Sequence, residues 1–155
     1  MTSSGIADLS SRRAAIVNAH IQAEAVHHDV ASTLATFRHP RYEVPALGTI
    51  ADGPEAVTGL IGALLAAFPD FHLRQTAVHY AADAVIVECA FGGTHGGPWA
   101  GIPATGKAIE VQAVLIFVFD GEDLVCEKVY FDNATVLNQM DAVHSSTRED
   151  VYAQP

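Results

Sequence analysis

Four residues near the N-terminus, His20, Glu24, His27 and His28, fall at i, i+4, i+7 and i+8 and would share one face of a helix. Glu24-x-x-His27 is a spacing used in carboxylate-bridged metal bundles. One helix cannot complete such a site, and no acidic partner is apparent on another helix. The expectation is therefore a solvated or pocket-edge histidine cluster with no metal. Gly101 to Lys107 matches the spacing of a phosphate-binding loop, but Ala108 stands where a magnesium-binding hydroxyl is needed and a strand follows instead of a helix, which excludes nucleotide binding. No G-x-S-x-G elbow is present, and both cysteines lie within apolar strands, so a serine or thiol nucleophile has no support. His95 closes a strand and enters a Gly-rich loop, where it would either orient a substrate or bond loop backbone. Trp99 and Ile102, on that loop, would form an apolar flap over a flat ligand or simply anchor the loop. Glu88, Glu110 and Gln112 interrupt apolar strands and must be paired, exposed or turned into a pocket.

These residues sit in a chain of 155, long enough for one domain with a core that needs no disulfide or metal. Eight Lys plus Arg against eighteen Asp plus Glu leave 8 − 18 = −10, a charge that repels phosphate backbones and anionic lipid. Nucleic acid and membranes are thereby excluded as partners. Cys89 and Cys126 read as buried free thiols of a reducing compartment, and the absence of a signal-peptide core in the first eleven residues leads to the expectation of a cytoplasmic protein.

The elements that must position the polar residues follow from periodicity. Ile16, Ala19, Ala23, Val26 and Val30 recur at helical spacing from Arg13, and Asp29 is placed to cap a second short helix through Phe37. A short strand over Arg41 to Val44 precedes turn-rich residues up to Gly53. Pro54 then opens a helix whose stripe, Val57 to Phe68, ends at Pro69-Asp70. Four antiparallel strands follow: Phe71 to Tyr80, Ala84 to His95, Ala108 to Phe119 and Leu124 to Asp132, the last two joined through Asp120-Gly121. Ala134 to Met140 predicts a terminal helix. One domain spans 1–155, with a core over about 12–140 and flexible tails at 1–11 and 141–155.

This α+β order resembles the cone-shaped nuclear transport factor 2-like fold, a curved antiparallel sheet packed on N-terminal helices around a pocket. Phe68-Pro69-Asp70-Phe71, Gly93-Thr94-His95-Gly96, Gly101 to Lys107, Phe117 to Gly121 and Tyr130-Phe131-Asp132 with Leu137 to Met140 are similar to successive blocks of the SnoaL-like polyketide cyclases. The resemblance covers about 29–140. It implies a cofactor-independent cyclase or isomerase acting on a carbonyl-rich small molecule, with Asp132 as general acid/base and His95 sharing the proton transfer. Asp132 is equally suited to cap the helix that follows. Alternation along the last strand puts Cys126, Lys128 and Tyr130 on the face of Asp132, making Lys128 and Tyr130 donors to an oxyanion. In a fold of this kind His39 and Tyr42 would lie at the cavity mouth, and Trp99, Ile102 and Gln112 complete the expected substrate contacts.

The chain also departs from the family, whose frequent histidine before the Asp-Gly hairpin is replaced by Val114 to Phe117, and whose aromatic four residues before the aspartate is Lys128. Two other functions remain open on this reading: a silent ligand-binding module, and an epoxide hydrolase, which would need two carboxylates and an arginine around one water. Val125, Val129 and Phe131, opposite Asp132, suggest either a homodimer face or burial within one subunit.

Overall fold

The computed structural model describes residues 3–142; residues 143–155, most of the tail predicted at 141–155, lie outside it. Helix α1 runs Ser3–Ile21 and continues into a π-helical turn, Gln22–Val26; α2 is Val30–Ala35. The N-terminal tail predicted at 1–11 is thus largely helical. Asp29 caps α2 as expected, its carboxylate accepting the Ser32 N–H at 3.0 Å. Strand β1, Arg41–Val44, is followed by β2, Thr49–Asp52, in a stretch whose turn-rich sequence predicts only a loop. The four-residue β2 alternates too briefly to show a period, and it exists because β1 offers it a partner, Tyr42 opposite Ala51. Helix α3, Pro54–Ala67, begins with proline at its first turn. Strands β3 (His72–Tyr80), β4 (Ala84–Thr94), β5 (Ala108–Asp120) and β6 (Asp123–Phe131) precede α4, Asn133–Gln139.

The sheet order is β2-β1-β6-β5-β4-β3. All pairs are antiparallel except β1 with β6, which run parallel with Tyr42 opposite Glu127 and Glu43 opposite Lys128. That pairing brings residues 85 positions apart in sequence side by side, 127 − 42. The inward face of β5 is buried from Ile109 to Phe119 at every second residue, while Val114, Ile116 and Val118 on the other face are half-buried. One core cluster joins Val17, Phe37, Tyr42, Ile61 and Phe117 under the helices; a second gathers Phe68, Phe71, Val111, Val136 and Met140. Arg13 ties α1 to two strand turns, donating to Gly121 O and Ala82 O at 2.9 Å each. Among the described residues no helix is long and apolar enough to cross a membrane.

The loop after β4 is clamped onto the end of α3, where Gly96 N–H and Gly97 N–H both donate to Ala67 O. A Cβ on Gly97 would come within 2.2 Å of Ala66 O, a backbone atom that cannot swing aside. Gly97→Ala is expected to cost about 1–3 kcal/mol through this overlap, and a urea midpoint equal to wild type would show that the loop does not pack so closely.

Candidate active site

Between the two core clusters lies one apolar pocket with a cavity volume of about 80 Å³, open at its mouth. Its walls are side chains such as Leu60, Leu64, Phe71, Phe91, Leu115 and Phe131. Among the described residues only Glu24, Tyr42 and Glu127 bring oxygen atoms of side chains to it, and all three come from the elements that converge at one end. Behind them stands His20, which is 1 % exposed and edge-on to Phe37 and Phe117.

The geometry around His20 is tight. Its Nε2 lies 2.9 Å from Glu127 Oε2, 3.2 Å from Glu24 Oε2 and 2.9 Å from Tyr42 Oη. Tyr42 donates to Glu24 Oε2 at 2.5 Å. On the other side of the ring, Nδ1 lies 2.8 Å from Thr36 Oγ1, whose own hydrogen goes to Thr33 O at 2.6 Å. Thr36 therefore accepts, and Nδ1 carries a proton. Glu127 Oε2 is buried and accepts no well-directed hydrogen bond, although it is within ion-pair distance of the ring. One carboxylate lone pair is thus left without a directed donor beside an apolar pocket.

Local sequence explains how each group arrives. His20 and Glu24 are four residues apart and meet on one helical face. Glu24 sits within the π turn, closed by His27 N–H to Gln22 O at 2.9 Å, a widened turn of the kind that occurs often at functional sites. Glu127 is the one acidic residue on the β6 face otherwise made of Val129 and Phe131, and β1 sets Tyr42 beside it.

Electrostatics fix the protonation states. Burial presses the His20 pKa down, but Glu127 and then Glu24 outweigh it, and the ring is held at about 10. Burial pushes the Glu127 carboxyl above its ordinary value, against the opposing pull of His20. The Tyr42 phenol is raised well above its usual range by burial and by the two carboxylates, so it stays protonated as a donor. At neutral pH the ensemble is an imidazolium between two carboxyl groups. His20 Nε2 and the two carboxylates lie within 4.8 Å of one another, a nitrogen and two oxygen donors that would also suit a divalent ion. The acidic partner missing from the helical reading comes from a strand.

Most residues singled out in the sequence lie elsewhere. Asp132 is exposed and caps α4, accepting Ala134 N–H at 3.0 Å and the Thr135 hydroxyl at 2.7 Å; the Thr135 and Ala134 bonds hold its pKa below the ordinary carboxylate value. That is the wrong environment for a base near neutral pH. β6 ends at Phe131, so strand alternation does not carry on to Asp132, and the inward face holds Glu127, Val129 and Phe131 in place of Lys128 and Tyr130. Lys128 reaches toward Glu43 at 3.8 Å, and Tyr130 is exposed. Val129 and Phe131, which suggested a homodimer face, line the pocket. His95 is fully buried away from the pocket lining: Nδ1 accepts Thr105 N–H at 3.3 Å and lies 2.9 Å from Thr105 Oγ1, which clasps the loop. His39 pairs with Asp52 on the surface, and Gln112 is exposed on the outer sheet face. Glu88 and Glu110 are exposed as well, beside His79 and Arg74. His28 bonds Phe71 O at 2.8 Å, and His27 is exposed.

Two expected contacts are in the pocket, Tyr42 and Trp99. Ile102 supports Trp99 across a two-residue hairpin, with Trp99 N–H to Ile102 O at 2.9 Å and Ile102 N–H to Trp99 O at 2.8 Å. Ala100 and Gly101 turn it at φ of +48° and +79°, the mirror-image turn suited to a twisted hairpin. Glu127 was missed, although its signal was present: it is a carboxylate in the run Val125, Glu127, Val129, Phe131, which alternation places on one apolar face. Both thiols are buried and unpaired as expected, and burial pushes Cys89 up to about 12 and Cys126 up to about 11, which keeps them protonated.

Solved structures resemble this one throughout. TsrD from Streptomyces laurentii superposes with a TM-score of 0.73 at 21% identity, covering 85% of this chain and 96% of that one. A Catenulispora acidiphila protein with a ketosteroid isomerase-like fold, solved with trimethylamine, gives 0.70 at 22%, covering 81% and 92%. A nuclear transport factor 2-like protein from Burkholderia thailandensis gives 0.69 at 20%, covering 83% and 96%. These likenesses establish the fold, the cone-shaped architecture expected from the sequence. No curated protein matches the chain by sequence. The family model for SnoaL-like polyketide cyclases matches residues 14–140, spanning every element from within α1 to the end of α4, and the chain belongs to that family.

Proposed function

We propose that this protein is a cofactor-independent cyclase or isomerase that moves a proton on an apolar, carbonyl-bearing small molecule, with Glu127 as its acid/base. The observation that carries this reading is the buried His20–Glu24–Glu127–Tyr42 cluster at one end of an otherwise apolar pocket. The Glu127 carboxylate takes a proton from carbon flanked by a carbonyl, which leaves an enolate in the pocket. His20, positively charged 2.9 Å away, holds Glu127 in place and offsets the negative charge. Glu24 and Tyr42 hold His20 in turn. Glu127 then returns the proton to a different atom: carbon in an isomerisation, or the new alkoxide in an aldol ring closure. The proton count is unchanged at the end, so no cofactor is required by the step.

A raised Glu127 pKa suits this task, because a buried carboxylate is a stronger base than an exposed one. The test is exchange of α-hydrogen for deuterium in β-tetralone and in cyclic diketones incubated with the protein in deuterium oxide. The pH dependence has a stated sign. Exchange should rise with pH as Glu127 ionises, with a midpoint above the ordinary 4.5, and fall again near pH 10 as His20 loses its proton. An exchange rate flat across this range would remove both groups from the step.

Leu115, within the stretch where family members often carry a histidine, faces the pocket, and the polar side chains at the wall here are Glu24 from the π turn, Tyr42 from β1 and Glu127 from β6. An epoxide hydrolase fits less well, because among the described residues no arginine lines the pocket and Arg38, Arg41 and Arg74 are engaged with surface carboxylates. A silent binding module would hold the same ligands, and complete absence of exchange with bound ketones would favour it.

A further inference from the structure

The acidic cluster lies at the wall of the pocket, and the same wall carries a donor from the other core cluster. Trp99 lines the pocket, yet its Nε1 is buried and has no hydrogen-bond partner among the described residues. A buried N–H without an acceptor costs free energy that the fold would avoid by turning the ring or exposing it. The ring is fixed all the same. It packs edge-on against Phe68 at 5.6 Å, and the hairpin bonds to Ile102 hold its backbone at both N–H and C=O.

The two groups belong to different parts of the core. Tyr42 is packed with Phe37, Ile61 and Phe117, whereas Trp99 is packed onto the cluster of Phe68, Phe71, Val136 and Met140. The pocket runs between them, walled by hydrocarbon. We infer that Trp99 is a specificity-determining residue whose indole N–H donates to a hydrogen-bond acceptor on the substrate remote from the reacting carbonyl. The substrate class is a flat, mostly hydrocarbon molecule with oxygen at both ends: an acidic C–H beside a carbonyl at Glu127, and an ether, hydroxyl or second carbonyl oxygen at Trp99. This rests on the reading of the pocket as a substrate site.

The test compares two ketones of equal shape, β-tetralone bearing a methoxy group on its aromatic ring and the ethyl analogue. Wild-type protein should bind the methoxy ketone about ten-fold more tightly, the effect of satisfying one buried donor. In Trp99→Phe, which keeps an aromatic ring and removes the donor, this preference should vanish. Trp99 is the single tryptophan of the chain, so its indole N–H resonance gives a second reading that needs no variant. That resonance should move downfield with the methoxy ketone and not with the ethyl one. Equal affinity of the two ketones for wild type, binding of neither, or a preference that persists in Trp99→Phe overturns the inference. Because these measurements read binding, they stand or fall separately from the proton exchange assigned to Glu127.

Discussion

Glu127→Gln is expected to lower α-proton exchange by about 10²–10⁴-fold, the usual contribution of a positioned acid/base group. The substitution keeps size and most packing, and it removes a pocket-lining carboxylate one of whose oxygens lacks a directed donor. Ketone affinity should change little, since the apolar walls supply most of the contact. Asp132→Asn is the contrasting variant. Its carboxylate is occupied by Ala134 and Thr135 at the surface, and asparagine caps helices comparably well, so both exchange and folding should match wild type. Exchange lost in Asp132→Asn and retained in Glu127→Gln would return the catalytic role to the residue that family resemblance favours and would sink the assignment made from geometry.

The second large effect concerns stability. His20→Leu leaves Glu24 and Glu127 facing each other without their shared cation, and near neutral pH this should destabilise the protein by about 3–5 kcal/mol, the cost of removing one partner from a buried charge set. Adding Glu127→Gln to that variant should restore much of the loss, because the repelling buried charge is then gone. A double variant no more stable than His20→Leu alone would mean that packing of the imidazole, and not its charge, is what the fold needs.

The same cluster sets how wild-type stability depends on pH. His20 has its folded pKa raised from 6.5 to about 10, so its contribution is complete below 6.5 and disappears as pH climbs through about 10. Glu127, also raised, has the same sign: its share is complete below 4.5 and diminishes above it. Thermal midpoints should therefore fall from pH 6.5 to 10, and fall less steeply in His20→Leu combined with Glu127→Gln. The groups facing His20 from packed elements are Glu24 on its own helical stretch, Tyr42 on β1 and Glu127 on β6.

Legibility differed by the range of the interactions. The helix α3 stripe, the β5–β6 hairpin at Asp120-Gly121 and the Asp29 cap all depend on neighbours within a few residues, and each was read nearly to its observed limits. The strand β2 was not, since its only reason to be extended is β1. The N-terminal turns of α1 were not either, because their mostly polar face carries little periodic signal. Among candidate site residues, Tyr42 and Trp99 reached the pocket, while Asp132, His95, Lys128, Tyr130, His39 and Gln112 took up caps, loop clasps or solvent-facing positions. The helical pair His20 and Glu24 was visible by its spacing. Its third member, Glu127, comes from a strand, through a pairing across the sheet that helical spacing does not show.

By itself the chain order determined an α+β fold of one family, because hydrophobic period, turn residues and caps act locally and add up along the sequence. Which face of β6 looks inward, and therefore which carboxyl group is buried, was decided only by the folded sheet. The parallel contact of β1 with β6 joins Tyr42 to Glu127, and the packing of α1 over them delivers His20. No local rule encodes a pairing between residues so far apart; burying both apolar faces at once brings these polar side chains together, with Glu24 and Thr36 completing their bonds.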